Sequence, residues 1–165
     1  MKNNPQEWIK YHQSLEEAIR SLGINPCEEI IKRLQQFPAY YRIGDFGCAK
    51  AKIMEVFGDR VFSCDYIAIN SKVTACDMKS VPVQDRYLDI IVFSLSIMNK
   101  NWPDYILEAR RCLVTNGTLL IAVTTKSLTE RLSNLRDILK VQGFDIYDEK
   151  VIPPFTFIEA TKRDL

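Results

Sequence analysis

Residues 42–53 read RIGDFGCAKAKI. Ile43 and Phe46 bracket an acidic residue, Asp45; Gly47 follows, and AKAKI then has the composition of a helix start. The segment therefore reads as a short strand that turns at a glycine into a helix. In sheets built from such units, ligands lie outside the carboxyl ends of the strands, at turns of this kind. A phosphate-binding turn carries a second glycine two positions after the first. Here that position is Ala49, and the turn opens on an acid. Either this is a ligand turn with one glycine replaced, or it is a plain strand-to-helix turn; the rest of the chain must decide.

Working outward, residues 40–150 alternate between strand and helix patterns. AKAKIMEVFG is a short helix ending at Gly58, and RVFSCDY and VTACDM are strands. YLDIIVFSLSIM is apolar on both faces, as a buried strand must be. WPDYILEARRCLVTNG places Tyr105, Ile106, Ala109 and Leu113 on one side of a helix, with an expected stop at Asn116-Gly117. TLLIAVTT is a further buried strand, SLTERLSNLRDILKVQG a helix, and FDIYDEKV and PFTFIEATK two strands in succession. Alternation predicts a mostly parallel sheet with helices on both faces. Upstream, EWIKYHQSLEEAIRSLG is helical, with Gly23 as its stop. Asn25 and Pro26 open a second helix, with Glu28 three residues after the cap. Neither linker nor repeat interrupts the pattern. The expected organisation is one domain over residues 1–165, with a helical N-terminal cap (1–39) and an α/β core (40–165).

The bulk numbers exclude several classes. At 165 residues and 47% hydrophobic, the chain can bury a full core. Lys+Arg and Asp+Glu nearly cancel, 22 against 21, for a net charge of +1. Net charge thus does not support RNA as a partner; affinity for a polyanion needs a local patch or a partner domain or protein. Five cysteines without C-x-x-C spacing argue against a disulfide framework and against a metal site. MKNNPQEW has no apolar signal core, and no run is long enough for a membrane span. An intracellular location, cytoplasmic or nuclear, is expected, with neither membrane nor metal as partner.

The chemistry concentrates at strand ends. Asp45 and Gly47 close the first strand, Asp65 the second, Asp77 and Met78 follow the third, and Ser94 and Ser96 end the fourth. Asp65 lies twenty residues beyond Asp45, the interval expected of a carboxylate that holds ribose hydroxyls. An aspartate in the first turn would repel phosphate. It suits a phosphate-free ligand with a cationic part, and S-adenosylmethionine has a sulfonium, an ammonium, a ribose and an adenine. Gly47 would let the backbone approach that ligand closely.

GDFGCAKAKI, CDYIA, VTACDMKSVPVQDRYLDIIVFSLSIM and NWPDYILEARRCLVTNGTLLIAV together resemble the nucleomethylin family. These are S-adenosylmethionine-dependent methyltransferases that modify N1 of an adenine in large-subunit ribosomal RNA. The resemblance runs from about Tyr11 to the C-terminus. It implies a Rossmann-like seven-stranded methyltransferase sheet with the final strand inserted antiparallel, and S-adenosylmethionine as cofactor with S-adenosylhomocysteine as product. Carried across by motif, it implies His12, just before the first helix, over the methionine end and Gly47 in the turn. It implies Asp65 on the ribose, Asp77 and Met78 on the adenine, and Ser94 near the sulfonium.

Two departures stand out. The family loop DFGCGD is DFGCAK here, and the GTN after the fourth strand is NKNW. Ala49 fits if its φ is negative, and Lys50 would repel a cationic ligand if it points inward. Methylation of a ring nitrogen with a free lone pair needs alignment more than a base. Ser94, Ser96 and Asn99 are then the expected floor of the acceptor pocket. Trp102 or an aromatic of PFTF would stack on a flipped base, although Trp102 serves equally as a core anchor, and alternation in a strand favours core for Phe155 and Phe157. The same fold acting on another nucleic acid or a small molecule, or a non-catalytic cofactor-binding module, are the alternatives.

Overall fold

In the computed structural model, which describes residues 4–164, local capping chemistry sets the first two helices. Helix α1 (Pro5–Leu22) starts where the Asn4 side chain accepts the N–H groups of Gln6 and Glu7, and stops at Gly23 with φ 71°. Helix α2 (Pro26–Leu34) starts where the Asn25 side chain accepts the Cys27 N–H at 2.9 Å. Residues 1–3 and 165, at the ends of the expected span, lie outside the described part.

Then follow β1 (Ile43–Phe46), α3 (Lys52–Phe57), β2 (Val61–Asp65), β3 (Val73–Ala75), β4 (Leu88–Ser94), α4 (Trp102–Cys112), β5 (Leu113–Thr124), α5 (Leu135–Val141), β6 (Phe144–Ile152) and β7 (Phe155–Lys162). The strands form one seven-stranded sheet in the order β3-β2-β1-β4-β5-β7-β6. The first five are parallel. The last strand, β7, runs antiparallel between β5 and β6, pairing Ile121 with Ile158 on one side and Phe144 with Lys162 on the other. This is the expected fold, with its antiparallel insertion.

Central strands bury nearly every residue because helices cover both faces. Phe46, Ile91, Phe93, Leu119 and Ile121 pack with Tyr105, Ile106 and Leu139 on one face. Ile43, Ile90, Val92 and Leu120 pack with Ile30, Leu34 and Ile53 on the other. Two buried charges fasten the margins. The Lys162 Nζ donates to the carbonyls of Arg110 and Leu113, each at 2.7 Å. The Arg33 guanidinium grips Glu159 with two hydrogen bonds, at 2.5 and 3.2 Å.

Two helix boundaries differ from expectation. α4 ends at Cys112 rather than at Asn116-Gly117, because Leu113 already pairs with Leu88 in the sheet. The partner of β4 then advances from Leu113 to Thr118 within two residues, and Asn116 takes φ 65° in that bulge. α5 is confined to Leu135–Val141. Upstream, residues Thr125–Thr129 form a tight 3-10 turn in which the Ser127 hydroxyl donates to the Thr124 carbonyl at 2.6 Å. Such side-chain bonds compete with helix.

Candidate functional site

Strand order reverses at β1 and β4, so their carboxyl ends open a crevice. A cleft of about 840 Å³ lies there, roofed by α1. Its floor is the turn after β1. Gly47 and Cys48 both donate their N–H to the Cys64 carbonyl, at 2.8 and 2.9 Å. Gly47 has φ 80°, and a Cβ on it would lie 2.4 Å from the Ser96 Cβ. The close pass of Ser96 therefore demands glycine here, and Gly47 also lines the cleft. Ser96 is itself structural: its hydroxyl donates to the Phe46 carbonyl at 2.7 Å, tying β4 to β1.

The alanine that replaces the second glycine does not meet the condition of a negative φ. Ala49 has φ 47°, a left-handed conformation that L-residues adopt at a cost. That conformation aims its N–H at Asp65 Oδ2, 2.9 Å away. Lys50, expected as a possible source of repulsion, is ion-paired with Glu16 of α1 at 2.8 Å.

Two acids are buried side by side in this cleft. Asp65 is 5% exposed, and its carboxylate accepts the Ala49 N–H, the Tyr66 N–H at 2.7 Å and the Trp8 indole N–H at 3.2 Å. Asp45 is 3% exposed and lines the same cleft. Its side chain has no hydrogen-bond partner among the described residues. Burial first, and the charge of Asp65 second, push its carboxyl up to about 7. Burying an acid is costly, and a cation in the cleft would relieve it.

His12 lies inside α1 rather than before the first helix, with its ring centroid 4.3 Å from that of Trp8. Burial lowers its pKa against the opposing pull of Asp65 and Glu16. Met78 is buried against the cleft, and Ser94 and Asn99 line it. Asp77 does not line it but connects to it. The Tyr66 hydroxyl lies 3.5 Å from Asp77 Oδ1 and 2.5 Å from the Tyr105 hydroxyl, which is 2.5 Å from Asn99 Nδ2. Because Nδ2 can only donate, Tyr105 accepts from Asn99 and donates to Tyr66, which in turn donates to the carboxylate. Trp102 is a core residue away from the cleft, as is Phe155; Phe157 packs against the α2-side cluster. Cys48 is buried and its thiol pKa raised, mainly by desolvation, so it is no nucleophile.

Sequence reasoning did not single out Trp8 or Tyr66 as site residues. The signals were faint: Trp8 stands one helical turn before His12, and Tyr66 directly follows Asp65. Among the described residues, no group of three or more His, Cys, Asp or Glu could hold a metal ion. Nor is any helix there long and apolar enough to cross a membrane.

Residues 1–164 match the model of a protein family described as "Hypothetical methyltransferase". "Ribosomal RNA-processing protein 8" of Dictyostelium discoideum is 33% identical over 161 residues, covering 94% of this chain and 41% of that protein. The "25S rRNA (adenine(645)-N(1))-methyltransferase" of Schizosaccharomyces pombe is 35% identical over 133 residues, covering 73% of this chain and 42% of its own. The chain thus spans about two fifths of the length of these relatives. Among solved structures, a TehB-like SAM-dependent methyltransferase from Corynebacterium glutamicum superposes with a TM-score of 0.71 at 14% identity. It covers 98% of this chain and 100% of that one.

Proposed function

Since the chain belongs to the family described as "Hypothetical methyltransferase", we propose that it transfers a methyl group from S-adenosylmethionine to N1 of an adenine in RNA. One observation carries this reading: two buried carboxylates, Asp45 and Asp65, meet in one cleft at the switch point of the sheet. A phosphate ligand is repelled there, and a cationic nucleoside is attracted. The names of the relatives, an rRNA-processing protein and an rRNA adenine-N1 methyltransferase, support the acceptor class.

When bound, the cofactor supplies an electrophilic methyl group. The residues of the chain hold and orient. Asp65 accepts the ribose hydroxyls, and Asp45 supplies countercharge to the cationic end. Met78 gives the adenine an apolar wall, and Asp77, set behind the cleft, fixes the Tyr66 that lines it. His12 covers the methionine end, and Ser94 stands near the sulfonium. Asn99, braced by Tyr105, edges the acceptor side. No side chain need remove a proton, because the attacking nitrogen has its lone pair available. Rate comes from alignment and from excluding water.

Asp45 and Asp65 lie deep in the cleft, and its exposed lining mixes Arg20, Lys52 and Lys100 with Glu28 and the Lys50–Glu16 ion pair. At a net charge of +1, RNA capture draws on these three cations and on affinity from a partner domain or protein. In a eukaryote, this substrate would place the protein in the nucleus or nucleolus. A second reading, a cofactor-binding module without turnover, draws on the left-handed Ala49.

Calorimetry with S-adenosylhomocysteine, followed by transfer of tritiated methyl to ribosomal RNA, tests the proposal. Micromolar binding lost in Asp65→Ala, with label recovered as 1-methyladenosine, is expected. Absence of heat at millimolar ligand would sink it, and binding without transfer would favour the module.

A further inference from the structure

The ribose-binding carboxylate is already engaged. Asp65 Oδ1 takes the N–H groups of Tyr66 and Trp8, and Oδ2 that of Ala49. A carboxylate offers about four acceptor positions. Three are taken, and two ribose hydroxyls need two. One donor must therefore leave. Those of Tyr66 and Ala49 are backbone amides fixed by β2 and by the turn after β1. The third comes from Trp8, 57 residues away in sequence and outside the sheet.

α1 is suited to release it. Trp8 is the one residue of α1 that is buried, so the helix has its single deep anchor in this subsite. A further tie to the turn, Glu16–Lys50, is an ion pair with both side chains more than a third exposed, of the kind that contributes little. Trp8, His12 and Glu16 lie four residues apart along one stripe of the helix, and all three line the cleft.

We propose that the Trp8 indole N–H holds an acceptor position of Asp65 that ribose needs, and that it is exchanged for a ribose hydroxyl when the cofactor binds. This rests on the reading that Asp65 holds ribose. Trp8 then sets cofactor affinity: every binding event must first break its bond to the carboxylate.

The test is Trp8→Phe in the full chain, which keeps a ring against His12 and removes the N–H. S-adenosylhomocysteine should bind it about tenfold more tightly than wild type, by calorimetry at matched folding checked by circular dichroism. Independently of any variant, acrylamide should quench wild-type tryptophan emission more strongly once the ligand is added. Trp102, in the core, is the constant background, and the increment should be missing from Trp8→Phe. Equal or weaker binding by Trp8→Phe, or quenching that stays level or falls, overturns the exchange while leaving the cofactor reading intact. Absence of binding by both proteins at millimolar ligand overturns both.

Discussion

Asp45→Asn should make the protein more stable and poorer at binding its cofactor, and the gain should depend on pH. The carboxyl is 3% exposed and pushed up to about 7 by burial and by Asp65, against an ordinary 3.8. Between those values the folded state holds a proton that the unfolded chain has lost, so stability falls as pH rises. Above 7 both states are ionised and the penalty is complete. The interval corresponds to roughly 4 kcal/mol. Asparagine keeps the shape without the charge, but its buried amide still costs about 1–3 kcal/mol. A net gain of about 1–3 kcal/mol at pH 8 remains, or roughly 3–9 °C in Tm for a chain of this size. At pH 5 the wild-type carboxyl is protonated, and the gain should vanish. Thermal unfolding by circular dichroism at pH 5 and 8 reads both values. On the ligand side, binding of a cation requires the ionised form. Wild-type affinity for S-adenosylmethionine, which carries the sulfonium, should fall as pH drops below 7 and level off above it. A lower Tm for the variant at pH 8, or an equal gain at both pH values, would refute the account of Asp45 as a charge penalised by burial.

Three further substitutions probe the turn and the tyrosine chain. Ala49→Gly relieves a φ of 47° and should raise stability by about 0.5–1 kcal/mol; urea unfolding that shows a loss would contradict the left-handed assignment. Gly47→Ala sets a Cβ 2.4 Å from that of Ser96 at φ 80°. It should cost about 3 kcal/mol, visible as a Tm lower by roughly 6–12 °C; an unchanged Tm counts against the packing described. Tyr105→Phe removes the hydroxyl shared by Asn99 and Tyr66. A loss of about 1–3 kcal/mol is expected in denaturant titration, and a neutral result would mean the chain is not formed in solution.

Much of this architecture is legible in the residues. Asn25 caps its helix and Gly23 ends the one before because capping is settled within four residues of chain. The double-sided burial of LDIIVF follows from composition alone. The antiparallel insertion of β7 came from the family resemblance, since nothing local encodes strand order. The carboxylates at 45 and 65 were visible as strand-end acids at a telling interval.

What the residues alone determined, then, is where the elements lie and which strand ends carry acids, because periodicity and turn chemistry act over a few positions. Tertiary structure decided the rest. α4 stops at Cys112 because Leu88, 25 residues upstream of Leu113, claims Leu113 for the sheet. Gly47 is required by Ser96, Lys50 turns to Glu16, and Trp8 reaches Asp65. Each of these depends on the distance between atoms from separate segments. A side chain's direction is chosen by the partner it meets, and only the folded chain brings the two together.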